Sequence, residues 1–302
     1  MKIAISGIHG FIGANLARYL RDKGHDVFGG EDWGTWKTEY DTGRTFDIRS
    51  KFEVEKVLLE NEVDLLINLA SRKGSEFCDQ NVDDTYYSNI TGTKNVIDVC
   101  NQYKIPLIHF GTTAYYYSNE SKELITEETV IAPRTFYGWT KFGQVFMLNQ
   151  MARMPYMIIE PVYLYGNICG YASNRSESVP DVIVRLSTGQ ENGPTEVRID
   201  PKYIKDYTHI SDFLKVFEKI ILNPSWGERI MVGAGYNQTL YDVYYDEIRK
   251  LEDSKKLVFL RNTDYKMNQA HCYEKLYKHY PEIKDYSFIP LSEYFEVDGD
   301  VK

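Results

Sequence analysis

Tyr137 and Lys141 stand four residues apart in a stretch with helical spacing, so both side chains would lie on one face of a helix. A phenol with an ordinary pKa of about 10 is a poor base at neutral pH. A neighbouring ammonium group favours the phenolate and lowers that pKa, which would make Tyr137 a usable general acid/base. The alternative is a solvated surface pair, because this spacing of Tyr and Lys is common by chance.

Two hydroxyl side chains follow a short apolar segment in the middle of the chain. Residues 105–110 read as a buried strand, and Thr112 and Thr113 come directly after its end. Ligands of parallel sheets bind outside the carboxyl ends of the strands. We therefore expect these hydroxyls to face a ligand.

A glycine-punctuated turn follows the first apolar strand and opens a helix near the start of the chain. Gly7 would allow a sharp turn, Gly10 would remove a Cβ where a pyrophosphate approaches, and Gly13 would let the helix pack closely on the strand. The first helical residues, Phe11 and Ile12, would present N–H groups and partial positive charge to phosphates. The pattern predicts a dinucleotide site, and a plain strand–turn–helix connection is the alternative.

An acidic residue follows the second predicted strand. Glu31 would accept hydrogen bonds from the adenosine ribose hydroxyls and repel a 2′-phosphate, which favours NAD over NADP. Asp32 is the second choice for this role. Lys37 could reach a 2′-phosphate, so NADP stays open as an alternative.

Strands alternate with helices through the first half of the chain. This order predicts an α/β fold with a Rossmann-type, doubly wound parallel sheet. The predicted strands after the first cover about 24–30, 64–70 and 105–110, and the predicted helices cover about 50–61, 83–103 and 133–151. Gly92 lies inside the second of these helices, where glycine costs about 1 kcal/mol relative to alanine, so we expect a close approach there.

Composition sets wider bounds on the protein. The 302 residues carry a net charge of −9, which gives no general attraction to nucleic acid or to anionic membranes. No apolar run reaches the ~18 residues that span a bilayer. Because the first residues are predicted to form a core strand, we expect no signal peptide. The four cysteines are scattered without metal-ligand spacing, which favours free thiols in the cytoplasm and no metal site. The 25 tyrosines are an unusually large number.

Taken in order, these motifs resemble the extended short-chain dehydrogenases/reductases of the NAD(P)-dependent epimerase/dehydratase type, which act on sugar nucleotides. The resemblance covers about residues 1–240. The matching positions are Gly7/Gly10/Gly13, Glu31, Asp47-Ile48, Asn68-Leu69-Ala70, Asn89/Gly92/Thr93/Asn95, Thr112, Tyr137/Lys141 and the segments 160–166 and 205–212.

The resemblance implies roles for these residues. Tyr137 would be the general acid/base on the sugar, Lys141 would tune it and bind the nicotinamide ribose, and Thr112 would hydrogen-bond the reacting oxygen. The other implied cofactor contacts are Asp47 and Ile48 near the adenine, Leu69, Ala70, Asn89 and Val162. The expected substrate contacts are Thr113, Tyr163, Lys205 and, from charge alone, Arg175 and Arg198.

This chain departs from the family pattern at several positions. Thr113 and Ala114 stand where the dehydratases carry an acidic residue after the catalytic threonine, which argues against a 4,6-dehydratase. Glu160 and Tyr163 replace the family's Arg and Asn. Lys205 replaces an Arg, which keeps the charge but loses the bidentate fork. Substrate binding is therefore expected to be atypical.

The implied activity is oxidation and re-reduction at C4 of a nucleotide-diphosphate hexose, that is, a 4-epimerase with tightly held NAD. An NAD(P)H-dependent 4-keto sugar-nucleotide reductase is the alternative, and a non-catalytic dinucleotide-binding regulator is the alternative of another class. We expect residues 1–165, with strands returning from about 203–235, to form the dinucleotide-binding domain and residues 166–302 to form mainly a smaller substrate-binding lobe. A homodimer through helices 83–103 and 136–151 is also expected.

Overall fold

A computed structural model describes residues 1–30, 44–116, 124–166, 178–190, 194–197, 200–260 and 269–294. Its centre is a six-stranded sheet in the order β2-β1-β3-β4-β5-β9. The strands of this sheet are β1 (Lys2–Ser6), β2 (Asp26–Phe28), β3 (Leu65–Asn68), β4 (Leu107–Phe110), β5 (Tyr156–Pro161) and β9 (Arg229–Val232).

Strand β1 lies in the interior of the sheet, between β2 and β3, and its apolar residues are buried on both faces. Ile3, Ala4 and Ile5 have no exposed surface, and β1 runs parallel to both β2 and β3. The pairs β3–β4 and β4–β5 are also parallel. The strand order changes direction between β1 and β3, and open α/β sheets bind their ligands at such a point. The predicted doubly wound parallel sheet is confirmed.

The helices agree with the predicted alternation of strand and helix. The helices that alternate with the strands of this sheet along the chain are α1 (Phe11–Asp22), α2 (Lys51–Glu60), α3 (Ser75–Gln80), α4 (Val82–Tyr86), α5 (Gly92–Tyr103), α6 (Phe136–Met151) and α8 (Ile210–Leu222). Helix α2 begins after Ser50, whose side chain accepts a hydrogen bond from the Glu53 N–H. Helix α6 begins three residues later than predicted, after Thr135, whose side chain caps the Gly138 N–H.

The helix predicted over 83–103 is interrupted by one π-helical turn, Tyr87–Thr91, between α4 and α5. Gly92 follows this turn directly. A Cβ atom on residue 92 would lie 2.7 Å from Cδ1 of Ile48, so the expected close approach is a packing contact with that side chain.

The chain divides by its internal contacts into two units. The first contains Met1–Tyr117, Val130–Pro161 and Phe217–Ile230, and the second contains Ser118–Thr129, Val162–Val216 and Met231–Lys302. The further strands and helices are β6 (Tyr163–Tyr165), β7 (Thr195–Val197), β8 (Tyr207–His209) and β10 (Leu257–Phe259), with α7 (Val179–Ser187), α9 (Leu240–Asp253) and α10 (Glu274–His279). Strands β6 and β8 form one parallel pair, and β7 and β10 form another.

The second unit has a core of its own, in which α7 and α9 pack their apolar faces together with the β6–β8 pair. Its buried residues include Ile183, Leu186, Tyr207 and Ile248. Among the described residues, no helix combines the length and the apolar character needed to cross a membrane.

Candidate functional site

The glycine turn after β1 is closed by backbone contacts that leave no space for side chains. Gly7 has a φ of +69°, and a Cβ on it would lie 2.9 Å from the backbone N of Ala70. A Cβ on Gly13 would clash with the Gly7 carbonyl oxygen. The Gly10 N–H donates to that same oxygen at 3.0 Å. Substitution at residue 7 or 13 would therefore move the turn or the helix behind it.

Helix α1 starts from this turn, with Gly10 as its N-cap residue and no capping side chain or first-turn acid among the described residues. Its first N–H groups, which include those of Phe11 and Ile12, are thus left for another acceptor. Both residues are partly exposed. A turn with glycine at residues 7 and 10 that ends in a helix N-terminus without a capping side chain fits the pyrophosphate of a dinucleotide.

Ser6 joins the ends of β1 and β3. Its hydroxyl oxygen accepts from the N–H groups of Leu69 and Ala70 at 3.1 Å each, and its hydroxyl donates to Asn68 at 2.5 Å. Ala70 is thereby held against Gly7 at the point where the strand order changes. The predicted cofactor contacts Leu69 and Ala70 therefore lie beside the glycine turn.

Lys141 lies in the first half of α6 with its side chain buried. Its ammonium group donates to the carbonyl oxygen of Phe110, the last residue of β4, at 2.6 Å. Burial lowers the pKa of Lys141 to about 7. Tyr137 lies one helical turn earlier and is partly exposed. The two residues therefore share one helix, and Lys141 is buried against the end of β4.

Thr112 begins the short 3₁₀ turn Thr113–Tyr115 that follows β4. Its hydroxyl oxygen accepts from the Ala114 N–H at 3.1 Å, so its own hydrogen remains available as a donor. Thr112 is partly exposed, whereas Thr113 is buried. Of the two threonines, Thr112 has the accessible hydroxyl.

Asn89 is fully buried within the π-helical turn. Its side chain accepts from the Arg72 N–H at 2.7 Å and donates to the Arg72 carbonyl oxygen at 3.1 Å. It also donates to Thr140 on α6 at 3.0 Å. These bonds account for both of its amide hydrogens. The geometry supports an indirect role for Asn89, in which it positions the chain after β3.

Asp47 and Ile48 lie in the segment before α2. Arg49 pairs with the Asp47 carboxylate through Nε and Nη2, the latter at 2.5 Å. Ile48 is buried and packs against Gly92. Arg49 also lies 3.7 Å from Asp84, so the predicted adenine contact is part of a charged network.

The second unit contains the other predicted substrate contacts. The ammonium group of Lys205 lies 3.7 Å from the ring centroid of Tyr163, which is a cation–π contact. Lys205 is only 5% exposed. Val162 is also buried, and its N–H donates to Val232 at 3.2 Å. The residue types that depart from the family pattern at 163 and 205 therefore touch each other.

Sequence reasoning missed Gln269 and His271 beside this lysine. Gln269 pairs with Lys205 in a parallel β-bridge, so their side chains point to the same side of the two strands. Its amide is fully buried and has no hydrogen-bond partner among the described residues. Burial, and after it the charge of Lys205, lowers the pKa of His271 to about 4. No sequence signal marks these residues, because the bridge forms over a separation of 64 positions.

Five other candidates, Glu31, Asp32, Lys37, Arg175 and Arg198, lie outside the described residues. Within the described part of the chain, no group of three or more His, Cys, Asp or Glu side chains could hold a metal ion.

A comparison with known families identifies the family of this chain. Residues 3–233 match the model of the family described as the NAD dependent epimerase/dehydratase family. The chain belongs to this family. The predicted family is thus confirmed, and the family is NAD-dependent, as the predicted cofactor requires.

Two curated relatives are similar to this chain over most of its length at low identity. The chain is 24% identical over 265 residues to Protein CapI of Staphylococcus aureus, which covers 81% of this chain and 77% of that protein. It is 24% identical over 277 residues to GDP-6-deoxy-D-talose 4-dehydrogenase of Aggregatibacter actinomycetemcomitans, which covers 87% and 86% of the two chains.

Solved structures share the fold over the whole length. The crystal structure of UDP-glucuronic acid 4-epimerase from Bacillus cereus in complex with UDP-glucuronic acid and NAD has a TM-score of 0.79 and is 20% identical. The match covers 99% of this chain and 98% of that one. This likeness confirms the extended Rossmann-type fold.

Proposed function

We propose that this protein is an NAD-dependent sugar-nucleotide 4-epimerase. The observation that carries the proposal is the arrangement around the end of β4, where Lys141 binds the Phe110 carbonyl oxygen and Thr112 keeps a hydroxyl hydrogen to donate. Tyr137 stands one turn before Lys141 on α6. A base, its tuning cation and a hydrogen-bond donor are the groups that oxidation of a sugar hydroxyl needs.

Each of these residues has a defined task in the proposed reaction. Tyr137 takes the proton of the C4 hydroxyl and later returns it. Thr112 donates to the C4 oxygen and stabilises the negative charge that develops there. Lys141, fixed on the Phe110 carbonyl, would stabilise the phenolate of Tyr137 when its ammonium group carries its proton. The chemistry that bound NAD supplies is reversible hydride transfer at C4.

The glycine turn would hold the cofactor's pyrophosphate at the N-terminus of α1. In the second unit, Lys205 would bind the diphosphate of the sugar nucleotide, with Tyr163 beneath its ammonium group. The amide of Gln269, for which the described part of the chain offers no hydrogen-bond partner, is a further donor on the same side. A buried cation next to an unsatisfied donor favours an oxyanion ligand.

A 4-keto sugar-nucleotide reductase is the second candidate, and the similarity to GDP-6-deoxy-D-talose 4-dehydrogenase supports it. The same residues would then perform half of the cycle, with Tyr137 donating the proton. A 4,6-dehydratase is disfavoured because Thr113 and Ala114 offer no carboxyl group after Thr112.

Mass spectrometry of small molecules released from the purified protein separates the two candidates. Co-purified NAD and interconversion of UDP-hexoses or GDP-hexoses without net change at the reduced-nicotinamide absorbance band would support the epimerase. Protein free of nucleotide that consumes NADH or NADPH with a 4-keto sugar nucleotide would support the reductase.

Tyr137→Phe tests the chemistry common to both candidates. We expect kcat to fall by about 10²-fold or more, because the proton acceptor is removed. Tyr245→Phe, at an exposed tyrosine on α9, is the matched control. Unchanged turnover in Tyr137→Phe would show that the proposed chemistry is wrong and would favour a non-catalytic role.

A further inference from the structure

Glu160 is a buried carboxylate on β5, at a position where the resembling family has an arginine. Its side chain has no exposed surface. Burying an ionised group is costly unless it is paired and hydrogen-bonded. Its partners include the hydroxyl of Tyr115, the hydroxyl of Tyr116 at 2.8 Å and Nε of Arg229 at 3.6 Å.

The two tyrosines end the short turn that Thr112 begins. Thr112 caps the Ala114 N–H, and the Tyr116 N–H donates to the Thr113 carbonyl oxygen at 3.1 Å. The cap and both tyrosine hydroxyls thus belong to one five-residue segment. Because both hydroxyls bind Glu160, the end of this segment is tied to β5.

The residue before Thr112 is pressed against the same carboxylate. A Cβ on Gly111 would lie 3.0 Å from Cγ of Glu160 and 3.0 Å from the hydroxyl oxygen of Tyr115. The Gly111 N–H donates to the Ile159 carbonyl oxygen at 2.8 Å, one residue before Glu160. Glu160 therefore lies against the residue before Thr112 and also binds the two tyrosines after it.

The same segment packs against the helix that carries Tyr137 and Lys141. The Ala114 carbonyl oxygen lies 3.6 Å from the Cβ position of Gly138, the residue after Tyr137. The ring of Tyr115 meets the ring of Phe142 edge to face, with centroids 6.5 Å apart. A shift of the turn would thus change the placement of Thr112 relative to Tyr137.

Charge balance around Glu160 holds these tyrosines as donors. Burial, followed by the charge of Glu160, holds the pKa of Tyr115 well above its ordinary value. Glu160 also raises the pKa of Arg229 despite the opposing effect of burial. The guanidinium carbon of Arg229 lies 5.6 Å from the ring centroid of Tyr116. Glutamate at 160 is thus matched to its surroundings, although the resembling family has the opposite charge there.

We propose that Glu160 is a positioning residue for the reaction: through Tyr115 and Tyr116 it sets the position of the Thr112 hydroxyl against Tyr137. This proposal rests on the proposed function, since it assigns Thr112 and Tyr137 to the reacting oxygen. Glu160 itself touches neither substrate nor cofactor in this account.

A double-mutant cycle of Glu160→Gln with Thr112→Ala tests the proposal. We expect Glu160→Gln to lower kcat by roughly ten- to a hundredfold, since small misplacements of a reacting group cost rates of that order. The KM for the sugar nucleotide and the dissociation constant of NAD should change less than about twofold. In the Thr112→Ala background, Glu160→Gln should lower kcat by less than about twofold, because the group it positions is gone.

Asp181→Asn is the matched control for this cycle. Asp181 is another buried carboxylate that accepts a tyrosine hydroxyl, that of Tyr294, but it lies in the second unit. Any loss of kcat in Asp181→Asn should persist unchanged in the Thr112→Ala background. If Glu160→Gln does not fold, Tyr116→Phe removes the 2.8 Å hydrogen bond to Glu160, keeps the ring and takes its place in the cycle.

Multiplicative effects of Glu160→Gln and Thr112→Ala on kcat would overturn the positioning role. So would a Glu160→Gln effect confined to thermal stability. Turnover that survives both Thr112→Ala and Tyr137→Phe would instead contradict the proposed function itself, so the two failures are distinguishable.

Discussion

The chemical state of single residues around α6 is set by what surrounds them. Lys141 is buried against the end of β4. His109, one residue before Phe110 on β4, is also buried, and its Nδ1 lies 3.0 Å from the Asn68 amide nitrogen. Burial, and after it the charge of Lys141, holds the pKa of His109 well below its ordinary value. His109 is therefore a neutral neighbour, and it adds no positive charge beside the lysine.

We predict that Lys141→Met changes the pH dependence of stability in the protein without cofactor. The lysine has a pKa of about 7 when folded and of about 10.4 when unfolded. Between these pH values Lys141 binds more protons in the unfolded chain than in the folded one. Its contribution to the wild-type free energy of unfolding therefore rises with pH, by up to about 1.4 kcal/mol per pH unit. The variant lacks this contribution.

Urea unfolding at pH 6, 8 and 9.5 measures this difference. The free energy of unfolding of Lys141→Met minus that of the wild type should be largest at pH 6. This difference should decrease as the pH rises. A difference in unfolding free energy that is the same at all three pH values would contradict the buried state of Lys141.

We predict that Gly13→Ala abolishes tight NAD binding. Its methyl group would clash with the Gly7 carbonyl oxygen and displace the turn from the pyrophosphate. The dissociation constant of NAD, measured by calorimetry, should rise by about tenfold or more. Gly24→Ala is the control for a strained glycine substitution away from this turn, since Gly24 has a φ of +84° but a Cβ on it meets no atom within 4 Å. Equal NAD affinity in both variants would argue against this turn as the cofactor site.

At the scale of secondary-structure elements, the π-helical turn joins parts that the alternation of strand and helix leaves separate. Asn89 in this turn binds the backbone of Arg72 after β3 and the side chain of Thr140 on α6. Its carbonyl oxygen accepts from Gln144, also on α6, at 2.8 Å. π-helical turns are frequent at functional sites, and this one fixes the chain after β3 to the helix of the Tyr/Lys pair.

We predict that Asn89→Ala destabilises the fold by about 2–3 kcal/mol, because it removes the three hydrogen bonds that this fully buried side chain makes to the Arg72 backbone and to Thr140. Asn81→Ala is the control. Asn81 is exposed, and within the described ranges its side chain binds one backbone oxygen, that of Phe77 at 2.9 Å. Denaturant unfolding measures both. If Asn89→Ala lowers the free energy of unfolding no more than Asn81→Ala does, Asn89 does not fix the chain after β3 to α6.

At the scale of the whole molecule, tyrosines pair repeatedly with buried carboxylates. The hydroxyls of Tyr115 and Tyr116 bind Glu160 in the first unit. In the second unit, the partners are Tyr294 with Asp181, Tyr273 with Asp206 and Tyr286 with Asp212. A tyrosine fills core volume and brings a hydroxyl to a charge that would otherwise be costly to bury. This is a physical reason for part of the high tyrosine content.

The predicted homodimer stays a proposal, and an exposed aromatic face on α4 and α6 supports it. This aromatic face consists of Tyr86, Phe136, Trp139 and Phe146. Trp139 is 47% exposed and Phe146 56% exposed. The ring of Trp139 stacks on that of Phe136 with centroids 5.6 Å apart. Clustered exposed aromatic rings are typical of protein interfaces.

We predict that Trp139→Ala raises the dimer dissociation constant by about tenfold or more, because interface tryptophans contribute strongly to binding. Light scattering across a concentration series measures the change. Trp226→Ala, at a tryptophan that is 40% exposed and follows α8, is the control and should leave the dimer intact. A wild-type monomer at micromolar concentration would contradict the proposed dimer.

Sequence spacing by itself determined the features that lie within one element or one turn. The three glycines, the Tyr/Lys pair four residues apart and the strand–helix alternation were readable because helix and strand periods place such residues on known faces. The family and the parallel sheet followed from them.

Only the tertiary structure decided which distant residues meet. The contacts of Glu160 with Tyr115 and Arg229, of Lys205 with Tyr163 and Gln269, and of Asn89 with Arg72 span from 17 to 69 positions in the chain. Such pairings depend on strand order and on side-chain burial, neither of which leaves a periodic trace in the sequence. In the sequence, Glu160 is only a departure from the family pattern. Its partners Tyr115, Tyr116 and Arg229 are identified by the structure, in which β4, β5 and β9 are neighbouring strands.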